Sequence, residues 1–260
     1  MTTTTLAPAP IAPPALPALP ASIHFSRLLG IEWRKSVDTR AARWLLLVVG
    51  LLSTGLMLIP LLNTTGNAQD LSHYLSMAAT GVAMLLPVVA ILTLTTEWTQ
   101  RTVLATFTAE PRRARVLGAK IGAGIILAAA GAVLAYALAA AALAISATAG
   151  RTVSWTMHPA AIAGVAVFLL LNIAMAMGFA ALIQNTPAAI VAYFAVPVVI
   201  AAIGLAMKSL RDWVDSSTTF NWVLEGNWSG HTAQILTTTA LWVALPLAAG
   251  AVRTIRREVK

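Results

Sequence analysis

The sequence predicts an all-α integral membrane fold: six transmembrane helices, both termini cytoplasmic, and an N-terminal amphipathic helix at the membrane interface. Three observations predict it. Hydrophobic residues make up 58 % and charged residues 10 % of the 260 positions, with a mean hydropathy of +0.81, against about 45–50 % and about 25 % in soluble domains. The apolar residues fall into six blocks of roughly 20, the length needed to cross a hydrocarbon core about 30 Å thick. The basic residues gather on one side of those blocks, which sets orientation.

Residues 1–21 hold six of the thirteen prolines and no charged side chain. Such a segment can neither continue a helix nor bury a core, so a disordered tail is expected. It lacks the basic start and unbroken apolar run of a secretory signal, so it is expected to persist in the mature protein. Over 22–40 the pattern changes. Phe25, Leu28, Leu29, Trp33 and Val37 share one arc of a helical wheel and Arg27 and Arg34 lie opposite, the arrangement of an interfacial helix with cations among anionic lipid headgroups. A solvated basic leader is the alternative. Glu32 falls on the apolar arc and needs a partner there; Lys35, three residues on, is the nearest.

Residues 41–260 form the membrane domain, with spans expected at 44–62, 74–95, 121–145, 160–183, 188–207 and 233–252. Arg27, Arg34, Lys35, Arg40 and Arg43 precede span one, and Arg101, Arg112, Arg113, Arg115 and Lys120 follow span two. Arg253, Arg256, Arg257 and Lys260 close the chain. Only Arg151, Lys208 and Arg211 fall on the other side, so both termini are expected in the cytoplasm. The net charge of +8 then reads as a topology signal, and nucleic acid is not an expected partner. The outer segment 208–232 carries Trp213, Phe220, Trp222 and Trp228. It is expected to turn back as a short helix or helical hairpin packed on span five or six.

Several chemistries lack their residues. The chain has no cysteine, which removes disulfides and thiolate chemistry. No G-x-x-x-x-G-K-[ST] loop is present, so ATP is not held by that means. No acidic or basic residue lies deep in an expected span, which argues against a proton-driven transporter. His24, His73, His158 and His231 sit on separate segments with no metal-binding spacing, and no catalytic set assembles at one depth. The expectation is no catalysis, no metal and no cofactor on this chain. Asn172, near the middle of span four, is the candidate intramembrane polar contact, either bonding a neighbouring helix or lining a polar path. Gly118 with Gly122, Ala128 with Ala132 and Ala174 with Gly178 have the small-residue spacing that permits close helix approach. Pro87, Pro197 and Pro246 interrupt spans.

The most informative stretch is the loop 97–120, EWTQRTVLATFTAEPRRARVLGAK. Val103, Leu104 and Phe107 recur at helical spacing, Pro111 stops that helix, and Arg112, Arg113 and Arg115 begin the next one through Gly118 and Lys120 into span three. A short helix held between two spans suits docking onto a soluble partner, with Leu104 and Phe107 as apolar anchors and Arg112 and Arg113 as charged rim. Glu97, Arg101, Thr102 and Thr108 complete the candidate docking set. Glu97 and Arg101, four apart, pair on the helix surface in the alternative reading, and a basic loop that only sets topology is the alternative for the whole stretch.

Here the chain resembles the permease subunits of type-2 ATP-binding-cassette exporters. The resemblance rests on Glu97 and Trp98 at the inner end of span two, the Thr-rich stretch Thr102 to Thr108, Pro111 with Arg112 and Arg113, and Lys120, together with the layout over 22–260. It implies a second permease copy, a separate ATPase seated under each copy and holding ATP and Mg, and a coupling helix at Thr102 to Thr108. It also implies a path lined by spans one, two and five in a bacterial plasma membrane. The absence of a charged site favours a lipid, drug or other amphipath as substrate. A non-transporting scaffold subunit and a stand-alone secondary transporter are the competing readings.

Overall fold

A computed structural model describes residues 23–63, 69–157 and 159–256. The expected tail 1–21, His158, Arg257 and Lys260 lie outside the described residues. Six helices are long and apolar enough to cross a membrane, and the chain is an all-α, multi-pass membrane protein.

α1 (Phe25–Asp38) precedes span one, α2 (Arg40–Leu62), whose start is capped by the Thr39 hydroxyl accepting from the Ala42 amide. β1 (Gln69–Asp70) leads into span two, α3 (Leu71–Thr99). α4 (Val103–Ala109) is the short helix of the loop, and α5 (Arg113–Thr148) is span three. β2 (Val153–Ser154) pairs in parallel with β1, a contact at the non-basic end that no hydropathy pattern marks. α6 (Pro159–Ile183) and α7 (Thr186–Ala206) are spans four and five. Span six is composite: α10 (Thr232–Thr239), a π-turn (Ala240–Ala244) and α11 (Leu245–Arg256). In that wide turn the Leu245 amide bonds the Ala240 carbonyl, immediately before Pro246, which has no amide to give.

α3 is the hub. Two-thirds of its apolar window is buried in protein, against 22 % for α7 and 28 % for α2. Tyr74, Leu75, Val82, Val89 and Ile91 pack on Leu143, Leu169 and Ile173 of α5 and α6. Gly81 lets α2 approach: a Cβ there would stand 2.5 Å from the Ser53 Cα. The predicted small-residue positions serve contacts inside this chain. Leu29 of α1 lies over Gly122, and Pro246 of α11 over Gly178. The outward faces of α2 and α7 are apolar, with Leu51, Leu62, Val198 and Leu205 mostly exposed, as lipid-facing helices require.

Two expectations are corrected. α3 outruns its apolar block, continuing through Glu97 to Thr99, past the expected span end at 95, while α5 begins at Arg113, where the arginines after Pro111 are expected to start it; hydropathy finds the lipid-width part of a helix, whereas backbone hydrogen bonding continues past it. The segment 208–232 holds two short helices, α8 (Lys208–Val214) and α9 (Ser216–Leu224). α8 lies on α7 and α10 as expected, but α9 packs mainly on span four, α6. There Gly164 leaves room for the Val223 and Leu224 carbonyls.

Candidate functional site

The first two turns of α5 and the last two of α3 meet α1 at the basic end of the bundle. α1 buries Leu28, Glu32 and Ser36, one residue per turn. That stripe faces protein, while on the rest of the predicted arc Leu29 and Trp33 are half-buried and Phe25 is 43 % exposed. Arg27 and Arg34 are exposed, as the wheel predicts.

Glu32 sits inside this contact, 1 % exposed. Its Oε1 accepts from Lys35 Nζ at 2.8 Å, the predicted partner, and its Oε2 accepts from Lys120 Nζ at 2.6 Å. Glu97 Oε1 accepts from Lys35 Nζ at 2.8 Å and lies 3.3 Å from Lys120 Nζ. Lys120 also donates to the Thr93 carbonyl at 3.2 Å, and the Thr93 hydroxyl donates to Ser36 Oγ at 3.0 Å. Two carboxylates and two ammoniums thus alternate around a closed, neutral quartet that joins three helices. Leaving either buried member alone would be costly, because the desolvation of one charge is offset only by the other. Half-burial lowers the Lys35 pKa, but its hydrogen bonds and charge interaction with Glu32 and Glu97 raise it further, for a net increase above 10.5.

Glu97 turns to Lys35 and Lys120 and away from the predicted Arg101. Arg101 has left the helix at φ +58°, ending α3 with its side chain exposed. Beyond it, α4 divides into two faces. Val103 is buried, and Phe107 leans edge-on against Trp98 at 6.5 Å and 73°. The Arg113 guanidinium lies 4.8 Å over the Phe107 ring and donates to the Thr254 and Ile255 carbonyls, near the end of α11. Phe107 and Arg113, both half-buried, are thus tied internally as well as lying on the expected docking helix: an aromatic ring beside a cation and an indole is well satisfied there. The outward face keeps Thr102, Leu104, Thr108 and Arg112, with Leu104 51 % exposed.

Sequence reasoning missed Glu110. It is 3 % exposed and accepts from Arg115 at 2.9 Å and from the Arg112 amide at 3.4 Å, fixing the turn at Pro111. Its spacing of five from Arg115 is not a helical pair, so only the turn brings them together. The partnership of Lys120 with Glu32, 88 residues apart, has no local signal.

Asn172 acts between helices. Its Nδ2 donates to the Phe168 carbonyl at 2.9 Å, and its Oδ1 accepts from the Tyr193 hydroxyl of α7 at 3.2 Å. The pair borders a groove of about 320 Å³ with Phe168, Phe194 and Phe220 on its walls and no charged side chain. Among the described residues no group of three or more His, Asp or Glu side chains is arranged to hold a metal.

No family model matches the chain, and no curated protein matches it.

Proposed function

We propose that this chain is the membrane-spanning permease subunit of an ATP-driven exporter of the ATP-binding-cassette type. It works as a dimer in a bacterial plasma membrane, with both termini and α4 on the cytoplasmic side. The observation that carries the reading is the two-faced helix α4. One face is tied to α3, α5 and α11 through Trp98, Phe107 and Arg113, and the other offers Leu104 with Arg112 beside it. A push on the outer face is delivered to three helices, two of which carry a charge of the quartet on either side of α4, Glu97 on α3 and Lys120 on α5. The ATPase, holding ATP and Mg, is a separate subunit seated on that face. The uncharged groove at Asn172 supports a neutral amphipath as cargo, since burying a net charge there would leave it unpaired.

The test is purification of the native complex in mild detergent, with subunits identified by mass spectrometry, for the wild type and for Leu104→Glu with Arg112→Glu. An ATPase subunit that accompanies the wild type and is lost from the double variant supports the reading. A chain that purifies alone overturns it, and one that keeps its ATPase and its turnover in the double variant overturns the assignment of α4.

A further inference from the structure

Between α1, α3 and α4 lies an open cavity of about 490 Å³, in the size range of ligand sites and far larger than packing voids. Its lining is graded along α3. Along α3 the lining runs from Gln100 and Glu97 at the helix end to Leu92 and Val89 deeper; α1 and the residue after it add the polar Ser36 and Thr39, and the lining carboxylates Glu32 and Glu110 are already paired with Lys120 and Arg115. From Gln100 to Val89 is eleven residues, about 16 Å of helix, roughly half of a hydrocarbon core about 30 Å thick. The polarity gradient and its depth are those of one lipid leaflet.

We propose that this cavity holds one phospholipid, its phosphate at Lys35 and the upper part of one acyl chain along Leu92 and Val89. Lys35 spends two of its three N–H donors on Glu32 and Glu97, and its side chain is 44 % exposed, which leaves the third open to an acceptor outside the quartet. The quartet itself is neutral, so an added phosphodiester finds the only unspent ammonium proton at Lys35, because Lys120 spends its own on Glu32, Thr93 and the Glu97 contact. The Thr102 hydroxyl, which caps no helix, and the exposed Gln100 amide stand at the same mouth. A bilayer supplies the ligand, and the site requires only that the chain be embedded in one. Occupied, it wedges α1 from α4 and sets the spacing between the quartet and the exposed face of Leu104.

Native mass spectrometry of the full chain in dodecyl maltoside, titrated with dioleoyl phosphatidylglycerol, tests this. The expected result is one phospholipid per chain that survives washing after the outer lipids are gone. Leu92→Trp, which fills the apolar half, should lower its retention about tenfold, equivalent to 1.4 kcal/mol, and Lys35→Gln should lower it too. Leu58→Trp, on the exposed face of α2, should leave it unchanged. Should Leu92→Trp not fold, as judged by helicity and elution volume, Ala105→Trp closes the same cavity from an exposed position on α4. Equal retention in wild type and the filled variants, retention of detergent alone, or loss of all lipid together overturns the proposal.

Discussion

The two ends of the bundle are held by different physics. At the basic end long side chains reach between helices, and the Glu32, Lys35, Glu97 and Lys120 quartet joins α1, α3 and α5. Backbones come close at both ends, Gly250 meeting Ala181 near the basic one, and at the opposite end such approaches carry the packing. The carbonyls of Val223 and Leu224 rest on Gly164, Gly226 at φ +73° abuts Ala161, and the Trp242 indole donates to the Val214 carbonyl at 2.6 Å. Charged contacts tolerate small changes of distance but fail when one partner is removed. Backbone contacts tolerate the loss of a side-chain bond but fail when an atom is added. An element that must transmit motion is better served by the first kind, and a rigid cap by the second.

Breaking the quartet should have the largest effect. Glu32→Ala leaves Lys120 buried beside a single carboxylate and is expected to destabilise the protein by about 3–5 kcal/mol, read as a lower midpoint of thermal unfolding in detergent. Glu32→Leu with Lys120→Met removes both charges and is expected to recover most of that loss; a double variant as unstable as the single one would show that charge is not what holds α1. At the other end Gly164→Val drives a side chain into the α9 carbonyls and should cost about 1–3 kcal/mol by overpacking, in the same unfolding measurement. Trp242→Phe removes the hydrogen bond to the half-buried Val214 carbonyl and should cost about 1 kcal/mol. If it costs as much as Glu32→Ala, the contrast between the ends is lost.

The smallest effects belong to solvent. Asp38 and Arg43 pair at 3.4 Å with both side chains well exposed, so Arg43→Ala should change stability by less than about 0.5 kcal/mol. Lys35 has a raised pKa in the folded chain, so its contribution is complete below the unfolded value near 10.5 and is lost as pH rises through the folded one. Unfolding midpoints should therefore not respond to Lys35 between about pH 6 and 9, and the difference between wild type and Lys35→Gln should shrink only in strong alkali.

Legibility followed sequence distance. α4 and the start of α5 were readable because Val103, Leu104 and Phe107 repeat at helical spacing and Pro111 interrupts them. Glu32 with Lys35 was readable as a pair three residues apart on one helix. Lys120 against Glu32, Arg113 against the end of α11 and Asn172 against Tyr193 were not readable as pairs, since each joins residues that only packing brings together. Phe107 shows the consequence. By spacing it belongs to the apolar face of a docking helix, and by contact it belongs to Trp98 and Arg113.

The sequence by itself determined that six helices form and where they lie, because span length, apolar composition and punctuation by Pro and polar residues act within about 20 residues of chain. Only the tertiary structure decided which face of each helix is inside. That choice closes the ion quartet at one end, seats α9 on Gly164 at the other, and leaves Leu104 rather than Phe107 facing outward from α4. The reason is that a buried charge or a close backbone approach is satisfied by whichever neighbour packing supplies, and the cost of leaving it unsatisfied, several kcal/mol, exceeds any local preference that a sequence pattern records.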